Sequence, residues 1–353
     1  MSRAARRARV FFFEEPLYDG PLQGDLQAHL SPEGVTVCVP HLPAGLAPDN
    51  EELLLRKLLD EMIEREDIRD PWCWYYSPMM WTWSQHVASS AIIYDCMDEL
   101  AAFAGAPPEL KERERALMRA ADVVFTGGQS LYQAKRTLHP QVHAFPSSVD
   151  AAHFARATEL PEPADQHALA RPRVGFFGVI DERLDIDLIR ELAEARPSWQ
   201  IVMLGPVVKI DPAILPRAEN LHWLGSRPYA DLPAYLGGWD VAILPFALND
   251  ATRFISPTKT LEYLAAGRAV VSTPIADVVE PYGTEGVVRI AMGKNFVTAI
   301  EEAFAQPFPA GRRAAEAAVA RTSWDRTWDA MAQLISAPIT VRAPAPVGGA
   351  STE

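Results

Sequence analysis

What most constrains the fold of this chain is an alternation that runs along it twice. Short β-branched or aromatic runs are separated by segments whose apolar residues recur at helical spacing. Val10–Phe13, Val35–Val39, Trp72–Tyr76, Ala91–Tyr94, Val123–Thr126 and Val142–Pro146 read as buried strands. Between the second and third, residues 49–66 set Leu55, Leu58, Leu59, Met62 and Ile63 on one helical face, with Asp49 and Glu52 spaced as a capping box. Residues 109–120 form a second amphipathic helix that leads straight into the next strand. Strands alternating with helices imply a parallel sheet.

From Ser147 to Pro172 the pattern lapses into Pro, Asp, His and Ala, the composition of an interdomain connection. It restarts with Val174–Phe177, Ile201–Leu204, Leu221–Leu224, Val241–Pro245, Val270–Ser272 and Val287–Ile290, with helices at 185–195 and 258–266 among the intervening segments. Two doubly wound, Rossmann-like α/β domains follow, at residues 1–150 and 173–322, joined by a linker at 151–172. The length of 353 residues is enough for each to bury its own core. A last helix, 323–337, carries Trp324, Trp328 and Met331, apolar bulk that needs a surface to cover, and the Pro-, Ala- and Gly-rich residues 338–353 are expected to be a disordered tail.

Charge and cysteine usage narrow the function classes. The 33 basic and 46 acidic residues leave a net charge of −13, which argues against nucleic acid as a bulk partner. Cys38, Cys73 and Cys96 have no short paired spacing, so a disulfide framework or zinc knuckle is unsupported and a reducing cytosol fits best. Behind Arg3, Arg6, Arg7 and Arg9 the apolar run ends at Phe13, before Glu14 and Glu15, which is no signal peptide. No stretch approaches the roughly 18 apolar residues of a membrane span; peripheral contact with a membrane, at its inner face, stays open.

Open α/β folds bind ligands beyond the carboxyl ends of their strands, so the residues just after strands are the candidates. Neither G-x-G-x-x-G nor G-x-x-x-x-G-K-[ST] occurs, and no metal-ligand spacing occurs, so dinucleotide, P-loop and metal chemistry lose support and no cofactor or metal is expected. The most informative segment runs from Arg253 to Gly267. Ser256 suits an N-cap, Pro257 the first helical position and Gly267 the far end. Lys259 sits in the first turn, where it opposes the helix dipole by about 0.3–1 kcal/mol. Something anionic should offset that. Backbone N–H groups, Ser256, Thr258, Lys259 and Arg253 converge on a spot suited to a phosphate or diphosphate, and Glu262 one turn on can accept from sugar hydroxyls. The bland alternative is a solvated lysine.

Ser256-Pro-Thr-Lys-Thr-Leu-Glu-Tyr-Leu-Ala-Ala-Gly-Arg-Ala-Val-Val-Ser-Thr-Pro274, with Leu221-His-Trp-Leu-Gly225, Tyr229, Leu232 and Asp240-Val-Ala-Ile-Leu-Pro-Phe246 upstream, resembles the GT-B nucleotide-sugar glycosyltransferases, most nearly the family 4 or group 1 type. The similarity runs from about Arg9 to Leu334 and is strongest in the second half. It implies a C-terminal domain that binds a nucleoside-diphosphate sugar, UDP- or GDP-linked, and an N-terminal domain that binds a glycan or lipid-linked acceptor. The final helix would cross back to the first domain, with Trp324 and Trp328 at the seam. By position, the resemblance assigns Gly178 and Arg183 to the diphosphate, places Gly205 and Lys209 after the next strand, puts Gly225 at the base, Lys259 at the diphosphate and Glu262 at the ribose. Each glycine reads equally well as a turn, and Arg183 and Lys209 as solvated charges.

Two departures stand out. The family commonly carries two acidic residues eight positions apart, and Glu262 is the second, but position 254 is Phe. The resemblance therefore carries no expectation about the hexose or the anomeric outcome. Relatives also begin with an additional strand and loop-helix unit, whereas residues 1–8 read like the end of that helix, so the chain is expected to start late and the acceptor side to be built differently.

On the acceptor side, Asp95, Asp98 and Glu99 follow a strand, and a carboxylate there, Asp95 or Asp98, can orient or deprotonate an acceptor hydroxyl. Asp98 also suits the cap of a helix beginning near Leu100. Gly127-Gly-Gln-Ser130 reads either as backbone N–H groups that touch ligand or as a turn with a Ser cap. The aromatic and methionine-rich stretch from Trp72 to Trp83 reads mostly as core, with a few residues at a cleft edge; His86 after it is a weak candidate base. The function expected is glycosyl transfer to a hydroxyl acceptor in envelope or exopolysaccharide synthesis, in the cytoplasm. A sugar-nucleotide epimerase of the same architecture, which would react without acceptor, and a silent nucleotide-binding subunit are the alternatives.

Overall fold

The computed structural model describes residues 1–336; the tail expected at 338–353 lies outside the described residues. In the second half, β8 (Arg173–Phe177), β9 (Gln200–Leu204), β10 (Leu221–Gly225), β11 (Val241–Leu244), β12 (Ala269–Ser272) and β13 (Arg289–Ile290) form one sheet in the order β10-β9-β8-β11-β12-β13, every pair parallel. All residues of β8, β11 and β12 are buried. That is why these strands read as unbroken apolar runs: a parallel sheet is covered by helices on both faces. The chain leaves β8 toward β9 and β10, then returns to the other side of β8 with β11. This reversal opens a crevice at the carboxyl ends of β8 and β11, the place where doubly wound sheets bind ligands.

The first half is less regular than its sequence suggests. β1 (Phe11–Phe13) pairs parallel with β3 (Thr36–His41), and β3 pairs antiparallel with β2 (Asp25–Leu30). The strand β2 is not legible in the sequence because almost all its residues are exposed and its Asp-Leu-Gln-Ala-His-Leu run has no β-branched residue; backbone pairing to β3 holds it. A separate parallel sheet runs β4 (Trp72–Tyr75), β5 (Ala91–Cys96), β6 (Val123–Thr126), β7 (Val142–Ala144). Among the described residues no ladder joins β1 to β4; between them lies a cavity of about 1090 Å³ lined by Phe11, Phe13, Trp72, Trp74, Tyr75 and Trp328.

Helix α1 (Pro48–Arg65) buries Leu55, Leu58, Leu59 and Met62, as its periodicity implies, but Asp49 and Glu52 form no capping box. Pro48 occupies the first turn behind Ala47, and Glu52 instead accepts from Thr82 and pairs with Arg113. α2 (Leu110–Ala120) and α3 (Gln129–Lys135) flank β6 in sequence. In the second half, α4 (Ile186–Ala195) is capped by Asp185, whose side chain accepts from Leu188 N, and α5 (Lys259–Ala265) precedes β12. The last helix, α6 (Trp324–Ser336), lies on the first half: Met331 and Ile335 pack with Ala91, Ile93, Val123 and Phe125, Trp328 stacks on Trp74, and Asp325 bonds Arg3 and Arg6.

Tyr263 fastens α5 to the sheet. Its ring is fully buried edge-on to Phe177 and Trp239, and its hydroxyl accepts the Phe177 N–H at 3.0 Å. Tyr263→Phe strands a buried amide at the end of β8, so we expect a loss of about 1–3 kcal/mol in urea unfolding, with the secondary structure unchanged.

Candidate active site

The crevice is floored by the turns that leave β8 and β9. Gly178 N–H bonds Leu204 O and Gly205 N–H bonds Gly225 O, which extends the ladder one step past the strands. Both glycines are held at positive φ, +144° and +146°, and neither has room for a side chain. A Cβ on Gly205 would lie 1.7 Å from Gly178 O, and one on Gly178 would lie 2.2 Å from Lys259 Cε. The lysine thus lies directly on bare backbone.

Lys259 comes from the first turn of α5. The helix starts later than its sequence signals suggest: Thr258 is the N-cap, without a side-chain cap bond, whereas Ser256 was the expected cap. Pro257 opens a tighter turn in which Thr260 N–H bonds Pro257 O, and Gly267, at φ +70°, ends the helix as its position implies. Among the described residues Lys259 has no ion pair within 4 Å. Burial holds its ammonium below the usual lysine range, and Glu262, Asp181 and Asp98 are the acidic groups near enough to oppose that effect. Glu262, one turn on, is pushed up to about 7 by burial against the pull of Lys259.

Arg183 enters from the β8 side. Its guanidinium is held by Asp181 in a forked pair, Nε to Oδ1 at 3.0 Å and Nη2 to Oδ2 at 2.7 Å, and lies over the Phe103 ring of the first half. The hydrogen bonds to Asp181 keep it firmly protonated. Across the crevice stands Asp98, raised by burial and drawn back by the nearby charges of Arg183 and Lys259. It is no helix cap: the short turn Leu100–Ala102 has Glu99 at its cap position and no side-chain cap bond.

Asp95 points elsewhere. It is 4% exposed, its Oδ2 accepts from Trp74 Nε1 at 3.1 Å, and burial pushes it up to about 6. Lys209 is exposed in a left-handed turn, and Arg253 is exposed with its guanidinium over the Phe254 ring. Phe254 packs onto the first half's cluster around Tyr75, Trp81 and Leu117. Gly225, at the end of β10, has open space before it. His86 binds Asp60 at 2.6 Å, and Tyr75, Trp81 and Trp83 are core.

The structure therefore gathers Gly178, Gly205, Arg183, Lys259, Glu262 and Asp98 into one cleft with cations on the floor and a carboxylate opposite. Sequence reasoning missed Asp181 and Asp277. Asp181 follows Gly178 closely and could have been found from its spacing to Arg183; Asp277 carries no local pattern.

Residues 171–306 match the family model of group 1 glycosyl transferases. TuaH of Bacillus subtilis, named as a teichuronic acid biosynthesis glycosyltransferase, is 27% identical over 236 residues, 62% of this chain, and the chain spans 59% of its length. Sucrose-phosphate synthase of Thermosynechococcus elongatus has a similar fold, with TM-score 0.70 at 16% identity over 94% of this chain and 90% of that one. Anabaena HepE, solved in complex with UDP and glucose, gives 0.66 at 15% identity over 86% and 87% of the two chains. The fold is GT-B, two Rossmann-like domains facing a cleft. The chain thus has the GT-B fold, and residues 171–306 of its second half are similar to the group 1 glycosyl transferases.

The raised Glu262 gives a sign to stability. A carboxyl bound more tightly to its proton when folded contributes fully below pH 4.5, and that contribution is lost as pH rises toward about 7. Glu262→Gln removes the loss, so the variant should gain on the wild type between pH 5 and 8 by on the order of 1–3 kcal/mol in urea unfolding.

Proposed function

We propose that the protein transfers a sugar from a nucleoside-diphosphate sugar to a hydroxyl of a glycan or lipid-linked acceptor, in assembly of a cell-envelope polysaccharide. One observation carries this: a lysine that has no ion-pair partner among the described residues lies on the bare backbone of Gly178 at the switch point of a parallel sheet. A diphosphate would supply the direct ion pair that the nearby acids do not make with Lys259. The group 1 match supports the donor class, the UDP complex of HepE favours UDP over GDP, and the name of TuaH supports the envelope role.

In this reading the diphosphate lies over Gly178 and Gly205, bound by Lys259, with Arg183 held ready by Asp181. Glu262 accepts from the ribose hydroxyls, and Gly225 borders the base. Asp98 takes the proton of the acceptor hydroxyl as its oxygen bonds to the anomeric carbon, and the bond from that carbon to the diphosphate breaks. Lys259 and Arg183 stabilise the charge left on the departing diphosphate. A cytoplasmic location, with contact at the inner membrane face through the acceptor, belongs to the same proposal; the three unpaired cysteines support it.

A thermal-shift screen of nucleotide sugars, followed by a transfer assay, tests this. UDP should raise the Tm of the wild type, and Lys259→Ala should lose most of the rise; equal stabilisation of both removes the phosphate assignment. Asp98→Asn should keep nucleotide binding while turnover falls about 100-fold or more, the size expected for loss of a general base. A parallel loss of binding would move Asp98 out of that role.

A further inference from the structure

Outside the donor site, the sharpest feature of the molecule is a carboxylate that crosses the cleft. Asp277 belongs to the second domain, in the short turn Ala276–Val278 after β12, yet its Oδ1 accepts the backbone N–H of Ser130 in α3 of the first domain at 2.8 Å. The aspartate is 7% exposed. Among the described residues its Oδ2 has no hydrogen-bond partner, so the Ser130 amide is what offsets the cost of burying the carboxylate, and losing it would leave the group bare. The fit leaves no slack: a Cβ on Gly128 would lie 1.9 Å from Asp277 Oδ2 and 2.9 Å from Ser256 Cβ. The start of α3 thus presses both on Asp277 and on the segment that leads into Lys259.

We propose that Asp277 is a positioning residue, an interdomain latch that docks the first domain on the donor cleft and thereby sets Asp98 against Lys259 and Arg183. The connection runs through the β5-β6 pair. Asp98 follows β5, α3 follows β6, and the two strands are hydrogen-bonded neighbours, so fixing α3 fixes the loop after β5. That loop makes its own contacts with the second domain, Ala104 N–H to Glu182 and Phe103 under Arg183. The Ala104 bond is long and exposed, at 3.3 Å; the Asp277 bond is shorter, at 2.8 Å, and partly buried. It follows that Asp277 acts through geometry and touches neither substrate. Its effect on turnover rests on the transfer reaction proposed above, whereas its effect on docking does not.

Three variants test it: Asp277→Ala, Asp277→Asn, which keeps an acceptor oxygen, and Gly128→Ala, which forces the carboxylate away. Amide hydrogen exchange reads the docking directly. In Asp277→Ala and Gly128→Ala, exchange at residues 128–131 and in the loop 98–105 should rise by about tenfold or more, with Asp277→Asn in between. UDP affinity should stay within about twofold, because the donor site lies in the second domain, while turnover of the nucleotide sugar that best stabilises the wild type falls about tenfold. Unchanged exchange at 98–105 in Asp277→Ala overturns the latch, as does a loss of UDP affinity that matches the loss of turnover. If the wild type binds no nucleotide, the proposed function fails, and the exchange measurement alone decides the latch.

Discussion

The site depends on one contact, that of the Lys259 side chain with the backbone of Gly178. A positive charge laid on the bare backbone of Gly178 has two means of relief: losing its proton or gaining an anion. Burial pushes it toward the first, and the nearby acids resist. The neighbourhood is arranged so that the acids do not close on it. Asp181 is spent on Arg183, and Glu262 is raised to about 7 by its own burial. A nucleoside diphosphate meets both needs at once, because it brings negative charge to the lysine and hydroxyl donors to the glutamate.

The rest of the fold serves to hold that contact in place. Tyr263 ties α5 to the end of β8, so the lysine and the glycine move together. The reversal of strand order between β8 and β11 opens the space above them. The first domain is brought to the same place by α6, which returns to its sheet, by Phe254, which packs into its core cluster, and by Asp277, which binds α3. Phe254 serves apolar contact between the domains. That explains how the chain accommodates an aromatic residue beside an exposed arginine.

Much of this was legible in the chain. Fully buried parallel strands announce themselves as apolar runs, and the second domain was readable almost to the residue for that reason. The first domain was readable where its strands are buried and unreadable at β2, an exposed edge held by backbone bonds that leave no mark on side-chain choice. Lys259 and Glu262 stood out because a cation in a first turn contradicts local preference. Helix capping was misread at Asp49, Ser256 and Asp98; at Asp49 the reason is that a proline can open a helix without any side-chain cap.

The sequence by itself determined the twofold α/β alternation, the start and stop of α5 to within a few residues, and the presence of a cation in the first turn of that helix, since each follows from interactions between residues close along the chain. Only the tertiary structure decided which charges meet. Asp98 faces the cations while Asp95, three residues away, turns to Trp74; Arg183 is held by Asp181; and Asp277 finds an amide 147 residues distant. Periodicity reports which face of an element is buried. It carries no information on what the opposing element presents there, and that pairing is set by how two complete domains pack.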